Sequence, residues 1–138
     1  MLTPFLRTLE ERVETVALER PVGQMLDQHT VMAQAVAAVV TYRGLAQLEE
    51  DRQRIEAEPA LEPREEIDHE TLVSDSEWAI LRPLFLLYIE RETALMLEAS
   101  RGLGVDVFGR TASEIASDIT AFEQELPRKA FLQPALTV

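Results

Sequence analysis

Four apolar positions near the start of the chain, Phe5, Leu9, Val13 and Val16, recur at helical spacing. Thr3 can cap such a helix and Pro4 suits its first position, so the pattern predicts an amphipathic helix from Pro4 to Glu19. Pro21 ends it and opens a second, longer helix. There Val22, Met25, Leu26, His29, Met32, Ala33, Val36, Val39 and Val40 form a broad apolar face. Its small side chains let a neighbour come close, which predicts the central packing helix of a bundle. His29 on that face is expected to pack rather than to ligate. Beyond Arg43 and Gly44 the pattern thins into "QLEEDRQRIEAE", charged nearly all round, and the expectation is a solvated helix end.

"EPALEPREEIDHE", Glu58 to Glu70, combines two prolines with clustered acids and reads as a linker. Ser74 to Glu77, "SDSE", then has the spacing of a capping box ahead of a long apolar helix. Pro83 falls early in that helix, as its first residue after a short turn or as a kink. Leu84, Phe85, Tyr88, Leu95 and Ala99 make one stripe, and Leu86, Ile89 and Leu97 a second, until Gly102 and Gly104 stop the pattern. "VDVF" reads as a crossing loop. "TASE", Thr111 to Glu114, repeats the capping-box spacing before a last helix faced by Ile115, Ile119, Phe122 and Leu126 and ended by Pro127.

No β-hairpin signal interrupts this order, so the class is all-α: a helical bundle of about four helices with an acidic central linker and an extended C-terminal arm. The expected organisation is one domain. It has an N-terminal helix pair at 1–57, a linker at 58–73, a helical hairpin at 74–126 and a docking arm at 127–138.

Charge sharpens this picture. The chain of 138 residues carries a net −12, and residues 58–76, with one basic and seven acidic side chains, hold −6 of it. Such a surface repels nucleic-acid phosphates unless cations gather on one face, so no sequence-specific nucleic acid is expected. Cysteine is absent, which removes disulfides and thiolate zinc sites and makes an intracellular compartment the default. The longest apolar runs, Ala35–Val40 and Leu84–Ile89, are far shorter than a membrane span, and the start of the chain lacks the features of a signal peptide.

The candidate chemistry is sparse. Glu66 and His69 form one Glu-x-x-His pair, but it lies in the linker, and Leu26 stands where a glutamate partner for His29 would belong. Val73 occupies the place of the second histidine of a zinc-protease motif, and "GLGVDVFG" lacks the lysine and hydroxyl of a phosphate loop. Serines and threonines fall at helix starts, where capping accounts for them. No catalysis, metal or cofactor is expected. "SEIASDI" resembles the first helix of a helix-turn-helix, without the glycine-bearing turn or a basic second helix.

The chain's final segment, "PRKAFLQPALTV", has no acidic side chain. Pro127 and Pro134 predict an extended arm whose partner-binding residues are Arg128, Lys129, Phe131, Leu132, Leu136 and Val138: two cations and four apolar anchors. The sequence "YIERETALMLEASRGLG", the loop "VDVFGR", the helix "ASEIASDITAFEQEL" and this arm together resemble the head-to-tail connector proteins, head completion or adaptor, of tailed bacteriophages, over residues 74–138. The resemblance implies a structural virion protein at the neck, assembled in the host cytoplasm. It would form a homo-oligomeric ring, grip the portal protein with its arm and receive tail or collar proteins, while DNA passes through the ring. The alternative is a helical DNA-associated regulator or small DNA-packaging subunit.

Overall fold

A computed structural model describes residues 6–19, 26–58, 66–100 and 110–137, with side chains described as far as Phe131. The elements in chain order are β1 (Leu6–Thr8), α1 (Leu9–Glu19), α2 (Gln28–Arg43), α3 (Glu49–Ala57), β2 (Leu72–Ser74), α4 (Asp75–Ser100) and α5 (Ala112–Thr137). The molecule is mostly helical, in keeping with an all-α reading, but it also contains a small two-stranded sheet.

That sheet is the first departure from expectation. Residues 6–8, read as helix, pair antiparallel with residues 72–74, with Leu6 opposite Ser74 and Thr8 opposite Leu72. The same ladder carries α1: the amide of Leu9 donates to the carbonyl of Thr71 at 2.8 Å and that of Glu10 to the carbonyl of His69 at 3.0 Å. Thr8, not Thr3, caps the helix, its Oγ1 accepting the Glu11 amide at 3.2 Å. The first three amides of α1 thus find partners outside the helix, as buried helix starts require. Leu9 and Val16 enter the core as the spacing predicts, whereas Phe5 lies outside the described residues.

Asp27 starts α2, its Oδ1 accepting the Thr30 amide at 2.7 Å. The buried face is Val31, Ala35, Ala38, Val39 and Tyr42. The predicted stripe was displaced by part of a turn: Val39 is buried, Met32 and Val36 pack at the margin, and Ala33, Val40 and His29 face solvent. Where nearly every position is alanine or valine, hydropathy sets no sharp direction, and close approach to α4 selects the alanines. Gly44 and Leu45 turn the chain into α3 as a separate helix.

The capping box at 74–77 is realised in full. The amide of Glu77 donates to Ser74 Oγ at 3.2 Å, and the amide of Ser74 donates to Glu77 Oε1 at 3.0 Å. From there α4 runs unbroken to Ser100 with Pro83 inside it, its ring exposed. Leu81, Leu84, Phe85 and Tyr88 are buried, and Trp78 packs 5.7 Å from the Phe85 ring. The predicted stripe fails at its far end: Leu95 is 46% exposed and Ala99 faces solvent, while Ala94 is buried instead. The crossing read at "VDVF" lies outside the described residues.

Helix α5 packs antiparallel against α4. Glu98 accepts the Ala112 amide at 3.0 Å near one end, and Tyr88 donates to Glu123 at 2.7 Å further along. Ile115, Ile119 and Leu126 are buried and Phe122 is partly so, as the spacing predicts. The extended arm is not found. Residues 127–137 continue the helix through both Pro127 and Pro134. At Pro127 the physical reason is that Leu126 and Ala130, on either side of it, are both buried on one face. One missing amide and its steric clash cost about 3 kcal/mol, a cost that packing on both sides of the proline offsets.

Candidate functional site

Of the residues singled out as an arm, three have described side chains. Phe131 is 82% exposed, with Arg128 exposed three residues before it, hence on the same side of the helix. Ala130, between them, turns into the core. Lys129 folds back, its ammonium 4.2 Å from the centre of the Phe122 ring, a cation–π contact that ties it to its own helix. Leu132 and Leu136 belong to α5 and Val138 follows it, but their side chains lie outside the described residues. The structure therefore places a large aromatic and a guanidinium side by side on the outer surface of a helix.

A second group of residues escaped the sequence reading. The first turn of α3, taken as solvated, buries Glu49, Glu50 and Asp51. Glu49 among them meets Glu77, which is fully buried at the start of α4. Glu77 Oε2 accepts the Glu49 amide at 3.0 Å while Oε1 holds the Ser74 amide, so one carboxylate caps two helices. Glu49 Oε1 in turn accepts from Arg52 at 2.6 Å and from Gln53 at 3.3 Å. Asp51 faces Arg43 at 3.7 Å.

Electrostatics follow this geometry. Burial pushes the Glu77 carboxyl above the usual carboxylate range, against the amides of Ser74 and Glu49, which favour the charged form. Burial, reinforced by Glu77 and Glu49, also pushes the Tyr42 hydroxyl well up, and that hydroxyl has no hydrogen-bond partner. Both oxygens of Glu77 are engaged by backbone amides, so its chemistry is that of a clamp joining α3 to α4. The signals were present as "LEED" and "SDSE", but their convergence across nearly thirty residues was not.

Of Glu66 and His69, the one metal-like pair, His69 has its Nε2 3.8 Å from Glu70 Oε1. Among the described residues no group of three or more His, Cys, Asp or Glu side chains has the arrangement of a metal site, and no helix is long and apolar enough to cross a membrane. Set against protein-family models, curated proteins and solved structures, the chain matches none of them.

Proposed function

We propose that the protein is a non-catalytic assembly subunit that docks on a larger partner through the C-terminal half of α5. The observation that carries this reading is Phe131, 82% exposed beside Arg128 on a chain of net charge −12. An exposed aromatic next to an arginine is the composition of an interface anchor, because both side chains gain most when a pocket removes them from water. As the segment is helical, the mode of docking is a helix laid in a groove and not a strand added to a sheet.

The partner proposed is the portal ring of a tailed bacteriophage, with further copies of this chain completing a ring below it at the virion neck. Two features support that choice: the likeness of residues 74–138 to head-to-tail connectors, and an acidic balance that lets DNA pass without adhering. The test is the native mass of the full chain mixed with a portal protein of a tailed bacteriophage from the same genome, compared with Phe131→Asp. A ring-bound assembly formed only by the wild type is the expected result. Equal binding by both overturns the docking surface, and binding by neither overturns the choice of partner.

A further inference from the structure

Helix α3 is held differently from the other helices. Its buried side chains are Glu49, Glu50 and Asp51, while its two apolar residues, Ile55 and Ala57, are half-buried and exposed. By contrast α1, α2, α4 and α5 all bury apolar side chains in the core. Leu48, buried just before α3, anchors its start. The ties beyond it are polar: the Glu49 amide on Glu77 Oε2 at 3.0 Å and the Asp51 carboxylate facing Arg43 at 3.7 Å. With nine residues α3 is too short to persist as a helix once detached, so its undocking and its melting are one event. No side chain of α3 belongs to the buried apolar cluster, which therefore has no need to open with it.

The charge that decides docking is that of Glu77. From α3 it faces the amide and the carboxylate of Glu49, the latter held by Arg52 at 2.6 Å; α3 also carries Glu50, buried, and Glu56, exposed. From α2 it faces the Tyr42 hydroxyl, which is fully buried and has no hydrogen-bond partner. The Ser74 amide holds its other oxygen, Arg43 is engaged with Asp51, and Asp75 with Arg12 of α1 at 2.8 Å. We propose that α3 is a latch governed by one proton: docked while Glu77 is protonated, released progressively as Glu77 ionises. An ionised Glu77 holds its charge out of water beside a second carboxylate, which the two amides offset only in part. Protonation removes that penalty without undoing the caps, because a carboxylic hydroxyl keeps a lone pair for the second amide where an NH₂ group has none. Burial first, and Glu49 in addition, push the Glu77 carboxyl above its ordinary value. The docked state thus takes up the proton more readily than the released one, and docking weakens as pH rises through the raised value. The latch is independent of the docking surface on α5.

Hydrogen exchange of the full-length protein, followed amide by amide from about pH 5 to pH 8 and corrected for intrinsic exchange, tests this. The amides of residues 52–57 in α3 are expected to exchange through a local opening while those of residues 84–88 in α4 stay protected. The opening constant of α3 should rise with pH, by no more than about tenfold per unit because one proton is involved. Glu77→Gln should abolish the rise. Glu49→Gln keeps the backbone amide that Glu77 holds but removes the neighbouring charge, so the rise should move to lower pH. That variant carries the test if Glu77→Gln does not fold. The proposal is overturned if α3 and α4 exchange together or if the opening of α3 is flat or falls with pH. It is equally overturned if a folded Glu77→Gln keeps the rise, or if the rise stays in place in Glu49→Gln.

Discussion

Replacing Glu77 with glutamine removes one acceptor from a side chain whose two oxygens each hold a backbone amide, Ser74 and Glu49, both at 3.0 Å. Glutamine keeps one oxygen and turns an NH₂ group toward the other amide, donor facing donor. A hydrogen bond to a charged group contributes about 1.5–3 kcal/mol, and a stranded buried amide costs about 1–3 kcal/mol. These overlap, and removing the buried charge offsets part of the loss, because burial already pushes the Glu77 carboxyl upward. The net expectation is a destabilisation of about 1–3 kcal/mol, a fall in Tm of about 4–12 °C for a chain of this size. Glu77→Ala strands both amides and should cost more, about 3–5 kcal/mol. Urea unfolding gives the magnitude, and hydrogen exchange at the Ser74 and Glu49 amides gives the cause. Unchanged midpoints, or lost stability with full protection retained at both amides, would refute the double-cap reasoning.

The pH dependence of the same pair of proteins has a definite sign. A carboxyl whose folded pKa lies above its unfolded value of 4.5 takes up a proton more readily when folded, so its contribution to stability falls as pH rises through the folded pKa. The gap in urea midpoint between wild type and Glu77→Gln should therefore widen as the pH falls through the raised folded pKa toward the unfolded 4.5, the remaining carboxylates cancelling in the difference. Pro127→Ala restores an amide at an exposed position within α5 and should raise stability by about 1–3 kcal/mol, measured by thermal unfolding; a loss would show that the ring itself packs. Thr8→Ala removes the cap of α1 and should cost about 1 kcal/mol, with exchange at the Glu11 amide accelerated.

How much of this was legible in the sequence depends on the range over which each signal acts. The capping box at Ser74 and Glu77 and the face Ile115, Ile119, Phe122 and Leu126 are local patterns, and both stand in the structure. Pro127 was misread because proline was given its local meaning, whereas buried Leu126 and Ala130 carry the helix across it. The charged run at Glu49 looked solvated for the same reason: its nearby partners Arg43, Arg52 and Gln53 are what a solvated helix also offers, and the contact with Glu77 that joins it to α4 comes from 28 residues away. Strands of three residues leave no periodicity to detect, and β1 has no turn linking it to β2. A cleft lined by Arg7, Arg12 and Arg82 is another grouping that only the fold creates. Of the candidate docking residues, Phe131 and Arg128 are exposed, but on a helix where their prolines had suggested an extended arm.

The pairing of Leu6–Thr8 with Leu72–Ser74 also sets an order of events during synthesis. β1 is made before its partner, which lies more than sixty residues later, so while the ribosome adds the intervening chain the strand it pairs with in the finished fold is missing. The carbonyls of His69 and Thr71 that receive the first amides of α1 arrive equally late. Closing a loop of that length carries an entropic cost that α4, once formed and capped, helps to meet by presenting β2 in place. β1 and the first turn of α1 are thus secured only after β2 has been made, and a nascent protein stalled before residue 74 would expose Leu9 and Val16, the same side chains that the finished molecule buries.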